Sequence, residues 1–295
     1  MTTTDLSATE RAIRASEPRT SFTISADRGW VQRFQLAGTD LREGVGLWRL
    51  AWSLAFADIR LRYRGSALGP FWLTLSTAVM IGAMAFLYAD LFHAKIHTYI
   101  PYLTVSIILW NYLNLMVSEG CTCFTQVESM VRGIRMPFTV HAARSVIRNT
   151  IILGHNVVVV VAVFAIMGIP VSLKSLWAIP AFLLWVIDGF AISLLLGAFC
   201  ARFRDVPQII MSVMQIAFFV TPIMWYTKLL DGHPAGELLI HLNPFYYLLE
   251  IVRGPLLGTE VTFHMALTAV LISAFLILVA ALGFARTRGR IAYWV

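Results

Sequence analysis

Apolar residues along this chain are gathered into six long blocks separated by shorter polar stretches. The blocks occupy residues 71–92, 99–118, 150–170, 176–200, 206–226 and 265–284. Four of the six hold no charged residue; the first carries Asp90 near its end and the fourth carries Asp188 near its middle. A helix needs about 20 apolar residues to cross the hydrocarbon layer of a bilayer, and each block has that length. The pattern predicts an all-α membrane protein with six transmembrane helices.

Two segments follow other patterns. In residues 47–64, Trp48, Trp52, Phe56, Ile59 and Tyr63 recur at helical spacing, while Arg49, Ser53, Arg60 and Arg64 line another face. Asp58 and Arg62 stand four apart, the spacing of an intrahelical ion pair. A helix apolar on one side and arginine-rich on the other lies along a membrane surface, so an N-terminal cytosolic interfacial helix is expected here. Residues 229–264 hold two short apolar runs, 237–242 and 245–257, parted by Asn243-Pro244. Glu250 and Arg253 stand three apart in the second run, and Gly254-Pro255 is expected to stop it. Neither run is long enough to cross, which predicts short re-entrant helices between spans 5 and 6 that form a mouth or gate.

Charge then orients these elements. Charged residues are only 13% of the chain against 58% hydrophobic, about half the charge of a soluble domain. With the N-terminus in the cytosol, ten arginines before Pro70 and nine more in the inner loops and tail face inward, whereas Lys95, Lys174, Lys228 and Arg253 face outward. An excess of basic residues marks the cytosolic side, so both termini are placed there in a multi-pass protein. The basic balance is thereby a topology signal, and nucleic acid is not needed as a partner to explain it. Residues 1–40 are polar and lack the apolar run of a signal peptide; they read as a cytosolic tail, partly disordered, ahead of a membrane domain at 41–295. Cys121, Cys123 and Cys200 fall on the cytosolic side, and a C-x-C spacing lacks the gap of common zinc hairpins.

Chemistry of the catalytic kind is sparse. A phosphate-cradling loop needs lysine directly after glycine, but the three lysines follow Ala94, Leu173 and Thr227. No Gly-x-Ser-x-Gly occurs, and His93 and His97 share a short loop without supporting ligands. The expectation is a chain with no catalytic residues, no metal site and no cofactor of its own. Asp188, an acid within a span, is either functional or the structural partner of a buried polar group such as Asn156. Aromatic residues near span ends form either an interfacial belt or the wall of a conduit; Tyr88, Trp110, Phe218, Phe219, Trp225, Tyr246 and Tyr247 are the conduit and gate candidates. The segment 120–149 is basic, amphipathic and broken by Pro137, either an ordinary inner loop or a docking element for a force-generating partner.

Three stretches carry a family resemblance: RLRYRGSALGPFWLTLSTAVM; LGAFCARFRDVPQIIMSVMQIAFFVTPIMW, with Arg204-Asp205-Val206 before a span ending in Thr221-Pro222-Ile223; and HLNPFYYLLEIVRGPLLG. Together they resemble the type-2 ABC exporter permeases, specifically the branch that moves O antigen, capsule and teichoic acid. The resemblance spans residues 41–295. It implies a homodimer with two copies of an ABC ATPase, which would hold ATP and Mg, and a polyprenyl-diphosphate-linked polysaccharide passed across the bacterial inner membrane among its lipids. It further implies that cytosolic elements receive force from the ATPase, with Arg60, Arg64, Arg132, Arg135 and Pro137 as coupling candidates. The alternatives are a permease of the same type for a small amphipathic drug or lipid, a membrane-embedded glycosyl- or acyltransferase using Asp188, and a proton-coupled carrier.

Overall fold

The computed structural model describes residues 29–66, 69, 71–91, 95–170, 172–230 and 232–295. The side chains of Leu73, Ala89 and Arg132 lie outside that set, as do residues 1–28 of the expected tail. All regular structure among the described residues is helical. We number the helices α1 (Trp30–Gly46), α2 (Trp48–Arg62), α3 (Phe71–Leu91), α4 (Ile96–Thr122), α5 (Glu128–Gly133) and α6 (Phe138–Met167). The remainder are α7 (Ala178–Arg202), α8 (Val206–Val220), α9 (Pro234–Leu242), α10 (Pro244–Leu257), α11 (Phe263–Thr287) and α12 (Ile291–Trp294).

Helix α4 is the axis of the bundle. It packs against α7, α6, α3, α10 and α8, and most of its length is buried among them. Its neighbours expose apolar side chains outward instead, Val157, Val158 and Val161 on α6 and Leu271, Phe275 and Leu278 on α11 among them. A soluble fold would bury such rows; a helix facing hydrocarbon does not. Among the described residues, four helical stretches are long and apolar enough to cross a membrane: Ile96–Thr122, Phe138–Met167, Leu173–Arg202 and Phe263–Trp294. Two shorter apolar helices, Thr74–Tyr88 within α3 and Val206–Val220, accompany them. The protein is thus an all-α membrane protein, with four helices of full spanning length where the apolar blocks predict six.

The fifth block is where the prediction departs most. Helix is expected to Tyr226, but α8 stops at Val220 and is about 22 Å long at 1.5 Å per residue. Pro222 is the cause. It disfavours the helical conformation in the residue before it, and Thr221 is extended at φ −81°, ψ 137°. A second correction concerns α10, expected to stop at Gly254-Pro255. The helix carries Pro255 inside its last turn and ends at Gly258, whose φ of 73° is open to glycine without strain. So near the end, a proline forfeits only one backbone bond.

The segment 120–149 is mostly helix rather than loop. Helix α4 runs on to Thr122 and α6 begins at Phe138, so Arg144 and Arg148 belong to α6. Helix α1 takes in residues 30–40, assigned from sequence to the tail, and packs on α6 and α11. Gly44 makes this contact possible, because a β-carbon there would lie 2.0 Å from Thr139 Oγ1. The first described helix, α1, and the C-terminal α12 therefore share one end of the molecule, called here the terminal end.

Candidate functional site

At the terminal end the side chains build an ionic knot. Arg144 donates to both oxygens of Asp58, its Nε at 2.7 Å. Arg148 Nη1 reaches Asp58 at 2.7 Å, while Nε and Nη2 reach Glu119, the former at 3.0 Å. Arg62 closes the set onto the other Glu119 oxygen at 2.9 Å. Two carboxylates and three guanidiniums thus join α2, α4 and α6. Burial pushes the Asp58 carboxyl up, but Arg144 and Arg148 outweigh it and hold the group below its ordinary value. The Asp58–Arg62 pair expected from spacing does not form; each residue turns to a different helix.

Beside the knot, Asp40 is fully buried and fixes the start of α6. Its carboxylate accepts from the backbone N–H of Phe138 and Thr139 at 3.3 and 3.1 Å, from Thr139 Oγ1 at 2.9 Å and from Arg288 Nε at 3.0 Å. An acid at a helix N-terminus satisfies donors that have no partner inside the helix. Pro137 immediately precedes α6 at this contact.

Of the coupling candidates, Arg60 and Arg64 lie on or just beyond α2, the helix that gives Asp58 and Arg62 to the knot. Both are exposed, Arg60 stacking 5.2 Å from the Phe56 ring. Arg135 is exposed between α5 and α6, and the side chain of Arg132 falls outside the described set. The buried face of α2 is Ala51, Ala55 and Ile59, whereas Trp48, Trp52 and Phe56 point outward beside the arginines. The expected row is thereby split, with Ile59 turned to the core and the rings outward, as suits a helix lying in a membrane surface.

The opposite end is held without a charge cluster. The non-helical stretch after α8 leaves carbonyls that no helix satisfies, and side chains from α4 and α10 collect them. Tyr99 donates to Met224 O at 2.6 Å; Tyr102 donates to Pro222 O and Trp225 O, both at 2.8 Å. Arg253, 2% exposed, donates to Pro222 O at 2.6 Å, to Ser106 Oγ at 2.9 Å and to Glu250, with its guanidinium 4.5 Å from the Tyr102 ring. The sequence pairs Glu250 with Arg253 and the structure agrees; the hold on the broken helix was not anticipated.

Between these ends α4 and α8 flank an open cavity of 530 Å³. Trp110, Phe218 and Phe219 line it together, with Trp110–Phe218 at 5.9 Å and Phe218–Phe219 at 5.4 Å between centroids. Asn114, Gln208, Ser212 and Gln215 supply the polar part of its wall. The last three stand at positions i, i+4 and i+7 of α8, a polar stripe legible in the sequence and passed over there. Only Met214 is fully buried along the fifteen residues of α8, with Ile210, Ala217 and Phe218 half-buried on the core, and the opposite face with Ile209, Val213 and Ile216 is exposed. The other aromatic candidates lie elsewhere. Trp225 and Tyr88 are not on this wall; Trp225 Nε1 donates to Phe219 O at 3.3 Å, and Tyr88 packs on the core from α3. Tyr246 and Tyr247 meet edge to face with centroids 5.4 Å apart, and the Tyr247 hydroxyl donates to His241 O at 3.3 Å.

Asp188 lies buried in α7 and accepts a hydrogen bond from Ser273 of α11 at 2.7 Å. The suggested partner, Asn156, is not bonded to it. Cys123 donates to Ser193 O at 3.2 Å, pinning α4 to α7.

The described residues thus form an all-helical membrane domain with an amphipathic entry helix and an uncharged aromatic cavity. The family model for the ABC-2 type transporter matches residues 49–257, and the chain belongs to that family. Among its relatives is a Myxococcus xanthus protein named O-antigen export system permease protein RfbA, 22% identical over 201 residues, which are 67% of this chain and 76% of the relative. Two Klebsiella pneumoniae proteins of the same name are 21% and 20% identical over 174 residues, 59% of this chain and 67% of each relative.

Proposed function

We propose that the chain is the permease of an ATP-driven exporter for a lipid-linked polysaccharide, acting as a homodimer with two copies of a separate ATPase in the bacterial inner membrane. The observation that carries the reading is the wall of Trp110, Phe218 and Phe219 with Asn114, Gln208 and Gln215, which offers rings and amides and no charge. A polysaccharide is longer than the bilayer is thick, so it must be threaded. Threading needs many weak contacts and no deep site. Sugar C–H faces stack on aromatic rings and hydroxyls exchange among amides, so such a wall grips without trapping. The names of the relatives point to the same cargo.

In this reading α3, α4, α6, α7, α8 with its broken end, and α11 make six crossings, and α9 and α10 form the re-entrant mouth. Helix α2 rests on the cytosolic surface and passes force inward through the ionic knot, with Arg60, Arg64, Arg132, Arg135 and Pro137 nearest the ATPase. Phe218→Ala with Phe219→Ala, at matched permease level, tests it. Surface glycan should fall and shorten while lipid-linked glycan accumulates inside. Unchanged amount and length of surface glycan in that variant, or in cells without the chain, overturns the reading. Topology is tested separately, since the native cysteines are buried. An impermeant thiol reagent applied to intact cells should label Glu260→Cys and spare Ser129→Cys.

A further inference from the structure

A second polar cavity lies next to the knot along the chain, its Asn149 following Arg148 on α6 and its Leu115 standing one turn before Glu119 on α4. It encloses 230 Å³ between α3, α4 and α6, and its polar wall is Thr77, Asn111, Asn114, Asn149, Asn156 and Tyr112. Four asparagines around one space inside a membrane bundle are costly, since each amide leaves water for hydrocarbon. Two of them are also unsatisfied. Asn149 is 1% exposed and neither its Oδ1 nor its Nδ2 has a hydrogen-bond partner in the chain; Asn156 is 7% exposed and its Oδ1 has none. Buried polar groups almost always find partners, so a pair of orphaned amides facing one cavity asks for a ligand. Tyr112 is not in need, because its hydroxyl shares a hydrogen bond with Thr150 Oγ1 at 3.1 Å.

We propose that this cavity is a binding site for one neutral sugar residue, entered from the aromatic cavity past Asn114. Asn114 lines both spaces, so it stands between the threading path and the side cavity. The chemistry selects the ligand class. Asn149 offers one acceptor and one donor group together, which suits a partner that both donates and accepts, as a hydroxyl does and an acetamido group does best. The wall carries no ionised side chain, so a uronate or phosphate would have to shed its hydration without a counter-charge. Ile108, Leu115, Ile152 and Leu153 complete the wall and receive the apolar face of the ring. The cavity stands to the side of the threading wall, so a residue held there by a few exchangeable amide hydrogen bonds would set the pause between steps without closing the path. The inference rests on the reading of the protein as a glycan permease.

The experiment uses the full chain co-purified with its ATPase in nanodiscs, with saturation-transfer NMR on three probes: methyl N-acetyl-β-glucosaminide, methyl β-glucoside and methyl β-glucuronide. Transfer is expected to the first most strongly, to the second less, and not to the third. Asn149→Leu and Asn156→Leu should each weaken the first probe about tenfold, the loss of one or two hydrogen bonds. Both are near-isosteric and remove orphaned polar groups, so the thermal transition should hold or rise, and that is the check on folding. Phe263→Ala, an exposed site on neither cavity wall, should leave the probe's affinity unchanged. Equal transfer to the glucuronide, no transfer at all, or affinity unmoved by both leucine variants overturns the site. Normal surface glycan with no Asn149-dependent binding sinks this inference alone. Asn149-dependent binding in a chain whose loss leaves surface glycan intact sinks the export reading and keeps the site.

Discussion

The two ends of the bundle solve opposite problems with different chemistry. At the terminal end, three helices distant in sequence are clamped by Asp58, Glu119, Arg62, Arg144 and Arg148, every member carrying formal charge. At the other end, a helix has been broken after Val220, and its freed carbonyls are collected by Tyr99, Tyr102 and a single buried Arg253. Buried ion pairs are demanding in geometry, and removing one partner leaves the other costly, so the knot should move as a unit. Hydrogen bonds from tyrosine hydroxyls to carbonyls are individually modest and can be exchanged one at a time. The difference teaches that one end is suited to transmit displacement and the other to yield to it.

Breaking that contrast begins at Arg148, which alone touches both carboxylates of the knot. Arg148→Leu should cost about 3–4 kcal/mol, the lower part of the range for splitting a buried pair, because Arg62 and Arg144 remain. Thermal unfolding in detergent measures it, and recovery of the ATPase complex should fall in parallel. Next comes Arg253→Leu. It should cost about 2–3 kcal/mol, less than Arg148→Leu because Glu250 stays partly open to water. Complex assembly should be untouched, since the lesion is at the far end. If Arg253→Leu lowers ATPase recovery as much as Arg148→Leu, the two ends are not mechanically distinct.

The contrast also marks what could be read without coordinates. Each apolar block became a helix, and the entry helix expected at 47–64 appears at Trp48–Arg62, because a run of hydrophobic residues and a 3.6-residue period are local properties. The knot was hidden for the opposite reason. Arg144 and Arg148 read as inner-loop residues by composition and Glu119 fell between that loop and the second block, and only pairing across helices lets the chain keep Glu119 and Arg148 buried and Arg144 half-buried. Arg144 and Arg148 count toward the topological charge, yet they are structural too. The break after Val220 was masked by the apolarity of Ile223, Met224 and Trp225, which extended the hydropathy block past a proline that ends the helix. Asp188 was recognised as a buried acid, but its partner Ser273 lies 85 residues away and no local rule points to it. The aromatic cavity was half legible. Trp110, Phe218 and Phe219 were named, while the Gln208–Ser212–Gln215 stripe beside them needed attention to polar rather than apolar periodicity.

Smaller effects sharpen the picture. Tyr102→Phe deletes one hydroxyl and with it the bonds to Pro222 O and Trp225 O. A loss of about 1–3 kcal/mol is expected, with faster amide exchange confined to the segment 221–226 and no change near Asp58. Acid should act at the other end. The Asp58 carboxyl is held below its ordinary value near 3.8 by Arg144 and Arg148, against the upward push of burial. A carboxyl with a depressed folded value contributes stability above its unfolded value and loses it as pH falls through the folded one. The melting temperature should therefore hold from pH 7 to about pH 5 and drop below about pH 4. Asp58→Asn should be less stable at neutral pH and flatter in that acid range; an identical acid limb in the variant assigns the drop to other carboxylates.

The smallest effect is expected at Arg62, and it is the finest test of the comparison. Arg62 completes the knot on paper, with Nη2 2.9 Å from Glu119, but its side chain is 44% exposed where that of Glu119 is 9%. Water already competes for the guanidinium, and Glu119 keeps two contacts from Arg148 when Arg62 is gone. Exposed pairs contribute up to about 1 kcal/mol, so Arg62→Ala should cost less than that, and high salt should erase most of the difference. The same mutation in an Arg148→Leu background should cost more, because Glu119 then has no other partner in the knot. A double-mutant cycle measures this coupling directly. Additive losses would mean that Arg62 serves only the surface of α2 and that the knot proper is Asp58, Glu119, Arg144 and Arg148. Coupling of 1 kcal/mol or more, roughly what a shared buried carboxylate supplies, would show that the entry helix is tied into the same ionic unit as α4 and α6, which a rigid transmitting end requires.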